Sequence, residues 1–167
     1  MAGALIVTAE MGEADTSALN ALRQKYFPPE RNHLRAHLTM FHALPPSTEP
    51  EVRSVMADLA REHAPKARLS ALMDLGRGVA FRVESEELII IRGRLADHFH
   101  GCLTSQDSAR WRPHVTIQNK VERAAAVALL EALGRDFRPR PLTIRGLELH
   151  RYVGGPWEFL GRWRFRG

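Results

Sequence analysis

Two tetrads decide the reading of this sequence: His37-Leu38-Thr39-Met40 and His114-Val115-Thr116-Ile117. Each sets a histidine and a threonine two residues apart, with apolar residues at the other two positions. In a β-strand successive side chains point to opposite faces, so His and Thr share one face, roughly 6.6 Å apart along the strand. The apolar pair faces the opposite layer. Each tetrad therefore predicts a strand with an imidazole and a hydroxyl on one side and core on the other. With eight histidines, chance supplies about one His-x-Ser/Thr; requiring apolar residues at both other positions, twice over, lowers the expectation to about one in a hundred.

Working outward, the same surroundings recur. Residues 36–42 and 114–118 read as strands, and each is followed by an amphipathic helix (50–63, 121–133) and then β-like sequence. The rest of the chain alternates in kind. A strand covers 4–9 and a helix 15–26, with Leu19, Leu22 and Tyr26 in register and Pro28-Pro29 as the stop. Strands are expected over 69–75 and 79–83. The apolar run Leu88-Ile89-Ile90-Ile91 reads as a fully buried strand, with a helix over 93–103 and a polar loop over 104–113. A terminal hairpin turns at Gly154-Gly155-Pro156, with Trp157, Phe159, Trp163 and Phe165 alternating on one face. The weak internal repeat fits one domain, 1–167, built of two pseudo-symmetric lobes, each carrying one motif strand.

Composition narrows the function. The chain has 167 residues, 44% hydrophobic and 26% charged, an ordinary globular balance. Its single cysteine, Cys102, excludes an internal disulfide and a CxxC zinc site. The longest apolar run is too short to cross a bilayer, and the N-terminus reads as a strand without a basic leader, so a cytoplasmic protein without a membrane partner is expected. The net charge is +5, and only three of the 24 basic residues are lysines. Arginine's planar fork suits phosphate, so an anionic partner fits the charge.

Two such strands facing one cleft would bring together two imidazoles and two hydroxyls, a set suited to phosphodiester chemistry. A neutral imidazole takes a proton from the attacking oxygen, an imidazolium gives one to the leaving oxygen, and hydroxyls hydrogen-bond the non-bridging oxygens. His37 and His114 are the candidate catalytic pair, and Thr39 and Thr116 the candidate substrate-binding pair. No cofactor and no metal is required. By strand parity Phe41 shares the side of His37 and Thr39, where it either stacks on a base or, as the favoured reading, packs in the core, and His42 faces away. Phe41, Lys120 and Tyr152 are further candidate substrate contacts. Asp107, in the loop before the second motif, reads as a turn former. His33, His37 and His42, or His98 and His100, form no recognised metal-ligand spacing.

On these residues the sequence resembles the two-histidine (2H) phosphoesterases, including the 2'-5' RNA ligase-like proteins and RNA 2',3'-cyclic phosphodiesterases. The stretches carrying the resemblance are Thr39-Met40-Phe41-His42-Ala43-Leu44-Pro45 and Arg112-Pro113-His114-Val115-Thr116-Ile117-Gln118-Asn119-Lys120-Val121. The resemblance implies a bilobal α+β fold, with antiparallel sheets lining a central cleft and helices packed outside. It implies action, without a cofactor, on a 2',3'-cyclic phosphate or a 2'-5' linkage in RNA or a nucleotide. The working unit is expected to be a monomer. Asn119 stands where many bacterial RNA-ligase-like members have an arginine, with Lys120 one place further on. The alternatives are a non-catalytic RNA- or nucleotide-binding domain, and a metal-dependent hydrolase.

Overall fold

The computed structural model describes residues 3–166. In chain order the elements are β1 Leu5–Met11, α1 Glu13–Tyr26, β2 Leu38–Leu44, α2 Glu49–Leu59, β3 Lys66–Asp74, β4 Val79–Glu84, α3 Glu86–His98, α4 Ser105–Ser108, β5 His114–Gln118, α5 Arg123–Gly134, β6 Arg140–Tyr152 and β7 Trp157–Arg164. The strands form an antiparallel sheet of order β2-β1-β6-β3-β4-β5, with β7 paired to β6.

The succession strand–helix–strand–helix–strand occurs twice, as β1-α1-β2-α2-β3 and as β4-α3-β5-α5-β6, with the single turn α4 inserted in the second. The two halves exchange their last strands: β3 pairs with β4, and β6 pairs with β1. Strand β6 is long enough to join the halves, pairing with β3 through residues 140–143 and with β1 through 144–151. Each motif strand is left at an edge of the sheet, and the two edges, β2 and β5, approach one another. The cleft lies between them. Its backing is apolar: Leu38, Met40, Val115 and Ile117 are fully buried with Leu5, Val7, Leu69 and Leu88 in one core.

The run Leu88–Ile91 is helical, not a strand. The Ser85 hydroxyl accepts the Leu88 amide at 3.1 Å and caps α3, and Glu86 and Glu87 lie in its first turn, where the helix dipole favours them. Leu88, Ile91 and Leu95 fall on one helical face and are buried, while Ile89 and Ile90 are half exposed. The four apolar residues have no period of their own, and the flanking cap decides between the two structures. The following helix therefore begins and ends earlier than 93–103, and the 104–113 segment contains α4, capped by the Thr104 hydroxyl.

The terminal hairpin turns at Gly154 and Gly155, both with positive φ. Its aromatic residues do not share one face. Leu149 pairs with Gly161 and His150 with Phe159, so β7 carries one extra residue at Leu160, which breaks the alternation. Trp157 and Phe159 lie beside His150, whereas Trp163 packs against the core.

Candidate active site

The cleft between β2 and β5 has a volume of about 320 Å³, and His37, Thr39, His114 and Thr116 all line it. The two histidines are held in the same way. The His37 Nδ1–H donates to the Arg35 carbonyl at 2.7 Å, and the His114 Nδ1–H donates to the Arg112 carbonyl at 2.6 Å. A carbonyl oxygen only accepts, so each Nδ1 carries the proton and each Nε2 is left for other partners. In each case the acceptor lies two residues upstream, and the pattern repeats because the motif repeats.

Both motif strands are bulged just after the threonine. On β2, Thr39 pairs with Thr8 but Phe41 pairs with Val7, so two residues advance against one. On β5, Thr116 pairs with Ala80 and Gln118 with Val79. A bulge reverses the alternation beyond it. This overturns two expectations from strand parity. Phe41 is fully buried beneath the Arg92 guanidinium, 4.3 Å from its ring centre, and is a core residue. His42 turns back to the His37 side and lines the cleft. Gly78 accommodates the second bulge, since a Cβ there would stand 2.0 Å from the Gln118 carbonyl oxygen.

A buried arginine braces each strand. Arg92 of α3 donates through Nε to the Met40 carbonyl at 3.0 Å and through Nη2 to the Asp107 carbonyl at 2.7 Å. Arg23 of α1 donates through Nη1 to the Thr116 carbonyl at 3.0 Å and through Nε to the Asn32 side chain at 2.8 Å. Burial lowers the pKa of Arg23 to about 10, and the group stays charged at neutrality. The Trp111 indole N–H adds a bond to the Thr39 carbonyl at 3.1 Å. Each clamp crosses between halves, because α1 packs on β5 and α3 reaches β2. Neither arginine stood out in the sequence as a site residue, although a signal exists: each follows an apolar residue on the core face of its helix, Leu22-Arg23 and Ile91-Arg92.

Asp107 is no simple turn former. It is completely buried, and its carboxylate accepts the His42 amide at 2.8 Å, the Ala43 amide at 2.9 Å and the His42 Nδ1–H at 3.1 Å. Burial alone would push its pKa up; the bonds from the His42 side chain and from the two backbone amides outweigh that and hold the carboxyl below its ordinary value. Nothing in its local sequence points to a partner 65 residues away.

Surroundings distinguish His37. The Trp157 ring meets its imidazole edge-on at 4.7 Å. Burial pushes its pKa down to about 4, against the bond to Arg35, and the charges of Arg23, His150 and His42 add to the lowering. His150, bonded to the Thr8 hydroxyl at 3.1 Å, is also lowered to about 4, by burial and then by Arg162.

The remaining candidate contacts lie elsewhere. Lys120 follows β5 in a left-handed turn with φ of 62° and is exposed away from the cleft lining. Tyr152 ends β6, and its backbone bonds Gly3 and Ala4; its cross-strand partner Trp157 lines the cleft instead. Among the described residues no three His, Cys, Asp or Glu side chains converge as a metal-ligand group, and no helix is long and apolar enough to cross a membrane.

An antiparallel α+β fold with a His-x-Thr strand on each wall of one cleft defines the class of the 2H phosphoesterases. Within that class, the sequence profile of the 2'-5' RNA ligase superfamily matches residues 12–156, and the chain belongs to that superfamily. Solved structures share the fold over essentially the whole chain. Escherichia coli LigT complexed with 3'-AMP superposes with a TM-score of 0.68 at 17% identity, covering 100% of both chains. TT0787 of Thermus thermophilus gives 0.66 at 20% identity, covering 98% of both. The crystal structure of a phosphoesterase gives 0.63 at 16% identity, covering 99% of both. No curated protein matches the sequence.

Proposed function

We propose that the chain is a metal-independent phosphoesterase that opens a 2',3'-cyclic phosphate or cleaves or forms a 2'-5' phosphodiester, in RNA or a nucleotide. The observation that carries this is the matched pair of imidazoles. Both lock Nδ1 onto a backbone carbonyl, both present Nε2 to one cleft, and a threonine lies beside each. His37 and His114 are the catalytic residues of this reading, and Thr39 and Thr116 the phosphate-binding ones.

The acid and base roles follow from the surroundings. His37 is neutral at physiological pH, so its Nε2 lone pair is free to take a proton from an attacking water. The new O–P bond forms in line as the opposite P–O bond breaks. The leaving oxygen takes its proton from His114, which must enter the step as imidazolium. The two hydroxyls hydrogen-bond the non-bridging oxygens as negative charge grows there. For a cyclic phosphate the product is a phosphomonoester, and in the reverse sense the two histidines exchange roles.

A nucleotide partner is supported by the LigT relative, whose crystals hold 3'-AMP. The cleft's arginines, Arg92, Arg110 and Arg112, suit an anionic ligand. One chain supplies both motif strands, so a monomer suffices. The test is a substrate panel in EDTA: 2',3'-cyclic nucleotides, 2'-5' dinucleotides and RNA ending in a cyclic phosphate. Turnover of at least one is expected, with loss in His37→Ala. Binding without turnover across the panel would favour a nucleotide-binding domain, and activity restored only by added metal would overturn the mechanism.

A further inference from the structure

We propose that His42 is a third substrate-contacting imidazole of the cleft, aimed by the buried carboxylate of Asp107 and binding a phosphate oxygen through Nε2. The proposal deepens the phosphoesterase reading and rests on it for the statement that a phosphate enters the cleft. Three features of the structure converge on it. The bulge in β2 turns His42 onto the His37 side, where its ring lines the same cleft as both motif histidines. Its Nδ1–H is given to Asp107 at 3.1 Å, so Nε2 is its remaining polar atom. Asp107 is itself fully buried and anchored by the His42 and Ala43 amides, so the imidazole hangs from a fixed point.

The three cleft imidazoles are thus held by different acceptors. His37 and His114 lean on neutral carbonyls, which suits exchange of a proton. His42 leans on a buried carboxylate, which fixes the ring by Nδ1 and leaves Nε2 for a ligand. A phosphate oxygen only accepts, so the proposed contact is an Nε2–H donation, with the ring bridging Asp107 on one side and the phosphate on the other. The charged and titratable groups around it are Asp107 from α4, Arg92 from α3, Arg110 and Arg112 from the segment before β5, and His37 and His114. Arg92 spends Nε and Nη2 on the Met40 and Asp107 carbonyls, which limits what it can offer a ligand. The opposite wall has no counterpart to His42. Asn119, five residues past His114 as His42 is five past His37, turns its side-chain oxygen to the Lys120 amide at 2.9 Å.

The experiment titrates inorganic phosphate into the wild-type protein and His42→Gln by calorimetry, and measures turnover of a 2',3'-cyclic nucleotide by both. His42→Gln should weaken phosphate binding about tenfold and raise KM by a similar factor, with kcat changed less than about threefold. Asp107→Asn keeps an oxygen for the backbone amides but removes the charge behind the ring, and should reproduce part of the KM rise. In the wild-type protein the His42 Cε1–H resonance should move as phosphate saturates the cleft, a readout that needs no variant to fold. Unchanged phosphate affinity and KM in His42→Gln, or a His42 resonance indifferent to phosphate, would overturn the proposal. Phosphate binding that depends on His42 in a protein that turns over no phosphodiester would instead overturn the phosphoesterase reading and leave the site standing.

Discussion

The two motif strands begin alike and end differently. Strands β2 and β5 each present His and Thr to the cleft, each is bulged directly after the threonine, and each is braced through a backbone carbonyl by a buried arginine from a helix of the other half. Past the bulge the likeness stops. On β2 the chain delivers His42 to a buried carboxylate; on β5 it delivers Asn119 to a local turn. The environments also diverge, since the Trp157 edge rests on His37. Duplicated geometry places the two imidazoles and the two hydroxyls symmetrically. A reaction that needs one proton acceptor and one proton donor at the same moment needs asymmetry, and the loops and the terminal hairpin supply it.

The severest way to break the comparison is to remove either imidazole. His37→Ala and His114→Ala should each lower turnover by about 10²–10⁴-fold, and the double variant should fall little further, because the two groups act in one transition state. Steady-state rates on a cyclic nucleotide measure this, and near-normal activity in either single variant would show the pair to be structural. Next come the braces. Arg23→Met and Arg92→Met each leave buried carbonyls without a donor and should cost about 2–4 kcal/mol of stability in urea titrations. A larger loss for Arg92 would fit its two hydrogen bonds to backbone carbonyls, of Met40 and Asp107, against one for Arg23. Thr39→Val and Thr116→Val should each slow turnover only about tenfold, since one hydroxyl remains to bond the phosphate.

The asymmetry itself is sharpened by pH. As base, His37 with a pKa of about 4 places the acid limb of kcat/KM near that value, well below the ordinary imidazole range. A limb in the ordinary imidazole range would show that His37 is not the base. Stability should change in the same window. In the unfolded chain His37 and His150 take up protons near their ordinary pKa of about 6.5, whereas in the fold both resist until about 4. Between those values the unfolded state binds more protons, so stability is lost as pH falls from about 6.5 toward 4, and His150→Phe should flatten that slope in thermal melts. The smallest expected effect is that of chelation: EDTA should leave turnover unchanged.

Much of the site was legible because the His-x-Thr spacing matches the strand period. His37 and Thr39, and His114 and Thr116, needed only local alternation to be placed on one face each, and the recurrence of the pattern implied that the faces meet. The order of strands and helices was largely legible from apolar periodicity for the same reason. Leu88–Ile91 escaped, because an unbroken apolar run carries no period, and the cap at Ser85 that makes it a helix lies outside the run.

What the tertiary structure alone decided lies beyond the reach of local rules. Bulges at Met40, Ile117 and Leu160 each shift the register by one residue and send the side chains beyond to the other face: the first puts Phe41 into the core and His42 at the cleft, the second buries Gln118, and the third sets Trp157 beside His37. A bulge is set by how two strands fit together, so the sequence of one strand does not announce it. The contacts of Arg23 with Thr116, of Arg92 with Met40 and of Asp107 with His42 span 93, 52 and 65 residues. Alternation along a strand follows from the geometry of the chain itself and is written in the sequence. The partner of a buried charge depends on which distant segment folding brings within about 3 Å, and that is settled only when the sheet closes.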